Sequence, residues 1–353
     1  MSKVLETSDE EWTRIVELLP GRNIYLTREY SQLFEKYFCK RARLFVFGDD
    51  NNFVVHPIWE REIDLPYARL SSTFRDALSP WYHAGPTMKL DDQRVQSTLA
   101  REFLSAFHDY CKKERIVSEF VRFYPVIENH KAFSGLLDMR KAGDVVILDL
   151  NGAPDAILRT FSKECRKNIR KASRSGVEVF FSRRNEDIGV FHEIYSESMR
   201  RKGAKTFYNF SYQFLVDLLG LLEGAAMMFF AAIGETIVVG DIVLYKYGIA
   251  EDYLRGFDSS YSQMRPNNML VYVIAQWCKE QGNKLLNLGG GLAPGDELFR
   301  FKSGFSKATR EYFVSGVVHD SETYQLLCKQ MKAHGNTAKN TEYFPAYRSY
   351  LQD

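Results

Sequence analysis

One order of elements is written twice along this chain. In the first half, Tyr30 to Phe38 carries apolar residues at helical spacing (Tyr30, Leu33, Phe34, Tyr37). Leu44 to Phe47 and Phe53 to Trp59 then read as strands joined through the turn GDDNN. In the second half, Tyr212 to Leu222 reads as a helix, with Met227 to Ile233 and Ile237 to Tyr247 as strands joined through GET. A strand from Asp252 to Phe257, an apolar helix from Asn268 to Gln281 closed by Gly282, and a strand from Lys284 to Leu288 follow. Such a repeat predicts two similar domains, each a mixed sheet flanked by helices, in the mixed α/β (α+β) class.

The length, 353 residues, suits two ordinary cores. Val145 to Leu150 is strand-like and leads into NGAP, where Pro154 fits the first turn of a helix, so the joint is expected there. The expected division is 1–145, then 146–320, then a segment 321–353. That last segment ends in EYFPAYRSYLQD, whose aromatics need cover and are expected to find it on the first domain.

Composition removes several function classes. No apolar run is long enough to span a bilayer, and MSKVLETSDEEW has neither a signal core nor a twin arginine, so a cytoplasmic protein is expected. The five cysteines are odd in number, scattered and without a CxxC pair, which argues against a disulfide framework and a zinc site. The seven histidines show no HxH, HExxH or HxxxH spacing, so no metal is expected. A net charge of +2 does not by itself imply a nucleic-acid protein; any polyanion site must come from local clustering.

Two local clusters exist. From Arg159 to Arg174 there are seven basic residues (Arg159, Lys163, Arg166, Lys167, Arg170, Lys171, Arg174) against the single acid Glu164. Helical spacing puts Ile157, Phe161, Cys165, Ile169 and Ala172 on one buried stripe and leaves the basic residues facing solvent or an anionic ligand. The second cluster, MRRKGAKTFY, sets Arg200, Arg201, Lys202 and Lys205 around a glycine, with Tyr208 able to stack or donate a hydrogen bond. Together they suggest a polyphosphate ligand.

Further on, LNLGGGLAPGDELFRFKSGF joins a strand end to three glycines and then to Lys302. Such a loop permits close backbone approach to a ligand, and a lysine there can either neutralise a developing oxyanion or be an ordinary surface residue. Asp241, an acid within an apolar strand, either faces a cleft or satisfies neighbouring backbone donors. Cys165 has no histidine near it in sequence and reads as core packing rather than a nucleophile.

Several segments resemble the Fem-type branch of the GNAT acyltransferase superfamily, which includes peptidoglycan-bridge enzymes and relatives encoded with surface-polysaccharide genes. They are SPWYHAGP, VRFYP, FSKECRKNIRKASRSGVEV, MRRKGA with a following tyrosine, NNMLVYVIAQWCKEQG, LFRFKSGF and FPAYR, which together span most of the chain. The resemblance implies two tandem GNAT-like domains and transfer of an acyl or aminoacyl group to an amine on a nucleotide- or lipid-linked sugar or muropeptide, in bacterial cell-envelope biosynthesis. Aminoacyl-tRNA is the favoured donor and acyl-CoA the other, with no tightly bound cofactor. It implies a catalytic role for Lys302 with Phe301 beside it, and substrate binding by Lys205, Tyr208, Arg255, Tyr82 and Arg122. Donor or polyanion contacts would come from Arg166, Lys167, Arg170, Lys171 and Arg265, and peripheral contact with the inner membrane is compatible with a lipid-linked substrate.

The sequence departs from the pattern at two positions that bear on the substrates. Coenzyme A pyrophosphate is gripped in GNAT enzymes by a loop with glycines at a helix start, and here Gln263 is followed by MRPNN, where Pro266 lacks a donor and no glycine is present. SPWYHAGP carries Trp81 and His83 in place of two usual residues. Two other functions stay open: an acetyl-CoA-dependent sugar N-acetyltransferase, and a non-enzymatic module that binds RNA or another polyanion through the basic helix.

Overall fold

In the computed structural model, which describes residues 1–39, 41–152, 154–293, 295–335 and 343–351, the chain divides into two units. One comprises Met1–Ala142 and Tyr312–Asp353, the other Gly143–Glu311.

The first unit begins with β1 (Ser2–Glu6), α1 (Glu10–Glu17), α2 (Arg28–Tyr37), β2 (Arg41–Gly48) and β3 (Asn52–Glu62). The GDDNN turn between β2 and β3 closes because the Asp49 carboxylate accepts the Asn51 and Asn52 N–H groups at 2.9 and 2.8 Å. β4 (Arg75–Leu78), β5 (Thr87–Leu90), α3 (Gln96–Lys113) and β6 (Ile116–Arg122) follow. β3 pairs antiparallel with β2, and with β4 and β5 at its two ends, whereas β4 and β6 run parallel, so the sheet is mixed. α3 covers it through Leu99, Phe103, Phe107 and Cys111, all buried against Phe45, Ile58 and Val121.

The second unit holds β7 (Met139–Asp149) from Gly143 on, α4 (Pro154–Thr160), α5 (Lys163–Arg174), β8 (Val177–Ser182), α6 (Asn185–Arg201), α7 (Tyr212–Leu221) and β9 (Ala226–Ile233). It continues with β10 (Thr236–Lys246), β11 (Ile249–Phe257), α8 (Pro266–Glu280), β12 (Leu285–Gly289) and α9 (Glu297–Lys302). The strand order is β7-β12-β11-β10-β9-β8, antiparallel except where β11 meets β12. One face is covered by α5 and α8, whose Ile169, Leu270, Ile274 and Cys278 join Met227, Phe229 and Val243 of the sheet in one core. α6 covers the other face and approaches closely, because a Cβ on Gly256 would stand 2.5 Å from the Tyr195 Cα.

The basic segment is not one helix. It breaks at Phe161–Ser162, where the Ser162 hydroxyl caps α5 by accepting the Cys165 N–H at 3.1 Å and the Ser162 N–H is taken by the Gly304 carbonyl at 2.8 Å. The stripe survives the break: Ile157, Phe161, Cys165, Ile169 and Ala172 are all buried.

After α9 the chain returns to the first unit as β13 (Thr309–Val318), antiparallel to β6, and α10 (Ser321–Ala333). Leu327, Met331 and Tyr347 of the C-terminal segment are buried with Ile63, Leu65, Tyr67 and Val117, which supplies the cover that its aromatics need. The described residues contain no helix long and apolar enough to cross a membrane.

Candidate active site in the strand splay

β11 and β12 pair over only three positions, Ile249 with Leu285, Ala250 with Leu286 and Glu251 with Asn287, and beyond that point the strands part. At the parting the buried Asn287 amide donates to the Glu251 carboxylate at 2.9 Å, and its carbonyl oxygen accepts the Gly289 N–H at 2.9 Å. This link ends the parallel ladder and satisfies two buried polar side chains. Gly289, with φ of +72°, then turns the backbone away.

The splay is lined by charge. On β11, Arg255 donates from Nε to Asp241 of β10 at 2.6 Å and from Nη2 to Asp252 at 2.8 Å. The three side chains are nearly inaccessible, at 17% for Arg255, 0% for Asp241 and 8% for Asp252. Burial pushes the Asp241 carboxyl well above its ordinary value, opposed by Arg255 and reinforced by Asp252. The second oxygen of Asp241 is buried without a hydrogen-bond partner.

Lys302 ends α9, and its ammonium donates to the Gly290 carbonyl at 2.8 Å. A Cβ on Gly289 would stand 3.2 Å from Nζ, so the glycine run admits the lysine to this position. Burial lowers the Lys302 pKa, Arg255 lowers it further, and Asp252, Asp241 and Asp296 oppose both. The sheet cluster and the lysine therefore lie within electrostatic reach of one another. α9 is held by Asp296, whose carboxylate caps it through the Phe299 N–H at 2.7 Å and also accepts from Leu292 and Ala293. Phe301 faces inward and meets Phe305 edge to face at 5.2 Å.

Of the MRRKGAK cluster, Arg201 and Lys202 come close to the end of β11. Arg201 donates to the Phe257 carbonyl at 2.6 Å, and Lys202 has its pKa lowered by burial and by its neighbours Arg201 and Arg255. Lys205 is exposed at the start of a single 3-10 turn, and Tyr208 is half-buried against Phe207 at 5.6 Å. Arg265 adopts φ of +61° just before Pro266 opens α8, and its Nε is buried without a hydrogen-bond partner.

The basic face of α5 is a separate surface of this unit. Lys167, Arg170 and Lys171 point to solvent, and Arg166 turns back to the Phe161 carbonyl at 2.6 Å. Cys165 is buried, and burial pushes its thiol up to about 11, which suits packing and not nucleophilic attack.

In the first unit, Tyr82 and Arg122 meet around His83. Tyr82 is held at φ of +71° and stacks on Tyr25 at 6.0 Å. Arg122 lies over the Phe120 ring at 4.8 Å. His83 is buried against Tyr312 at 4.5 Å, and burial, with Arg122 beside it, pushes its imidazole down to about 3.

Sequence reasoning singled out Arg255 and Asp241 separately and missed Asp252, Glu251 and Asn287. Asp241 stands opposite Arg255 on the neighbouring strand and Asp252 three residues before it on β11, a grouping readable only once the register and its shift between Ile242 and Val243 are known. Among the described residues no group of histidine, cysteine and acidic side chains is arranged to hold a metal ion.

Comparison with known proteins adds to this geometry. Residues 159–303 match the family model of the acetyltransferase (GNAT) domain. That match spans the basic helix, the splay and Lys302, and the fold of the whole chain agrees with it. FemX superposes with a TM-score of 0.71 at 14% identity, over 92% of this chain and 99% of that one. L-PGS from Bacillus licheniformis gives 0.54 at 18% identity, over 88% and 92%. A tandem GNAT protein from the clavulanic acid biosynthesis pathway gives 0.52 at 10% identity, over 90% and 99%. These likenesses are of fold, and with the GNAT match they agree with the expected tandem GNAT-like architecture. Comparison by sequence with curated proteins gives no match.

Proposed function

We propose that this protein is an aminoacyltransferase that joins the acyl group of aminoacyl-tRNA to an amine on a nucleotide- or lipid-linked sugar or muropeptide. The observation that carries the reading is Lys302, held by the Gly290 carbonyl at the mouth of the splay in a GNAT domain. The acceptor amine attacks the ester carbonyl of the donor, and the lysine ammonium faces the oxygen on which charge develops. Collapse of the tetrahedral intermediate breaks the ester bond, and the amine proton leaves through substrate or bound water to the ribose hydroxyl. No covalent enzyme intermediate is required.

Aminoacyl-tRNA is favoured over acyl-CoA by the start of α8. A pyrophosphate cradle needs successive free N–H groups and room for the phosphate, whereas here Arg265 and Pro266 stand at that position, the first with a side chain and the second without a donor. The exposed basic face of α5, with Lys167, Arg170 and Lys171, suits the phosphates of an RNA donor. The GNAT match itself favours a second reading, acetyl-CoA-dependent N-acetylation of a sugar.

Lys302→Met tests the role of the lysine. Turnover is expected to fall at least 100-fold with KM for the acceptor within about threefold, because the charge acts on the developing oxyanion. Unchanged turnover with weaker substrate binding would remove Lys302 from the chemistry.

A further inference from the structure

The first unit contains a cavity of about 210 Å³ that the transferase reading does not use. Its walls are apolar, from Phe103, Leu104 and Phe107 of α3, Val121 of β6, and Leu136 and Leu137. Its floor is a chain of four polar side chains. His56 of β3 hydrogen-bonds through Nε2 to the Glu119 carboxylate on β6. His319 brings Nε2 to 3.8 Å from the other Glu119 oxygen, and its Nδ1 lies 3.0 Å from Nδ1 of His108. His56, Glu119 and His319 are 1%, 3% and 5% exposed.

The hydrogen-bond capacity of this floor is incompletely used. An ionised carboxylate only accepts, so His56 Nε2 carries its proton toward Glu119. Burial alone would raise the Glu119 carboxyl, but His56 and His319 outweigh it and hold the group down to about 2. His56 Nδ1 is then left buried with no partner, in a ring that lines the cavity. Buried polar atoms of this kind are paired in the great majority of proteins, so an unpaired one facing a void requires an explanation. The other charged groups that bear on the floor are Lys112 and Asp109, which flank His108 on α3.

We propose that this cavity is a binding site for a small, mostly apolar molecule that carries one hydroxyl group. A hydroxyl both donates and accepts, so it pairs with His56 Nδ1 whichever way that nitrogen is protonated. The ring or branched alkyl part of the ligand fills the space against Phe103, Phe107 and Leu104. The volume suits about one benzene-sized group, since an apolar cavity of roughly 150 Å³ already accepts benzene. A carboxylate-bearing ligand is excluded, because it would lie beside the ionised Glu119. The half-buried Leu104, Leu136, Leu137 and His108 form the rim.

The test uses the full chain with 4-methylphenol, toluene and benzoate as probes, followed by isothermal titration and by the histidine ring signals in NMR. The expected result is saturable 1:1 binding of 4-methylphenol with a shift confined to His56, toluene about tenfold weaker, and no benzoate binding. Leu104→Trp, which fills the cavity from its rim without touching the polar floor, is expected to abolish binding while leaving the Tm within a few degrees. His56→Phe is expected to bring 4-methylphenol down to the affinity of toluene. Equal affinity for 4-methylphenol and toluene, binding that survives Leu104→Trp, or no binding of either probe would each overturn the proposal.

Discussion

Replacing Arg255 by methionine removes the guanidinium that bridges Asp241 and Asp252 at 2.6 and 2.8 Å while keeping much of the apolar stem. Both acids stay where water barely reaches them, with side-chain exposures of 0% and 8%. Breaking a buried pair from one side typically costs about 3–5 kcal/mol, because the remaining charge is left uncompensated. The sign of the pH dependence follows from Asp241, whose folded pKa is raised by burial. Such a group supports folding while protonated, and that support is lost as pH rises through its folded value. Without Arg255 the value rises further, so the destabilisation is expected to grow as pH rises through the wild-type folded value. Asp241→Asn in the Arg255→Met background removes one of the two acids and is expected to return about 1–2 kcal/mol. The assay is urea unfolding of the full chain, with hydrogen exchange reporting on the second unit. A loss below about 1 kcal/mol for Arg255→Met, or a double variant no more stable than the single one, would refute the ion-pair argument.

Two further outcomes follow from local geometry. The His83 imidazole, held near 3 by burial against an ordinary 6.5, supports the fold above pH 6.5 and loses that support as pH falls toward 3. At pH 5 this amounts to about 2 kcal/mol, and His83→Asn is expected to flatten the stability profile between pH 6.5 and 5, which thermal melts at each pH measure. Gly256→Ala sets a Cβ 2.5 Å from the Tyr195 Cα and is expected to cost about 1–3 kcal/mol. Gly189→Ala, in α6 with open space around it, is expected to stabilise by up to about 1 kcal/mol, and denaturant midpoints compare the two.

Much of the fold was legible because its periodicities are strong. The repeated helix and hairpin appear as α2, β2 and β3, and again as α7, β9 and β10, with ends shifted by a few residues. The basic helix was read as continuous because Ile157, Phe161 and Cys165 keep helical spacing. The capping action of Ser162 is a hydrogen bond that competes with the helix ladder and leaves no trace in the spacing. β4 and β5 were not anticipated: they are four-residue strands whose place is fixed by opposite ends of β3. At the site, the glycines and Lys302 were visible in sequence because each is an unusual residue for its position. The Asp241, Arg255 and Asp252 cluster was not, because it depends on a register shift between Ile242 and Val243 that no local pattern encodes.

Competition between donors tests acyl transfer at the splay from aminoacyl-tRNA. Purified protein is incubated with radiolabelled acetyl-CoA and, separately, with a pool of tRNAs charged with labelled amino acids. Label is then followed onto UDP-linked amino sugars and muropeptides. Transfer from charged tRNA, lost in Lys302→Met, is expected, with no saturable binding of acetyl-CoA. Transfer from acetyl-CoA alone would contradict the reading of the α8 start and make the protein a sugar N-acetyltransferase, and steeply salt-dependent RNA binding with no transfer from either donor would contradict the enzymatic reading altogether.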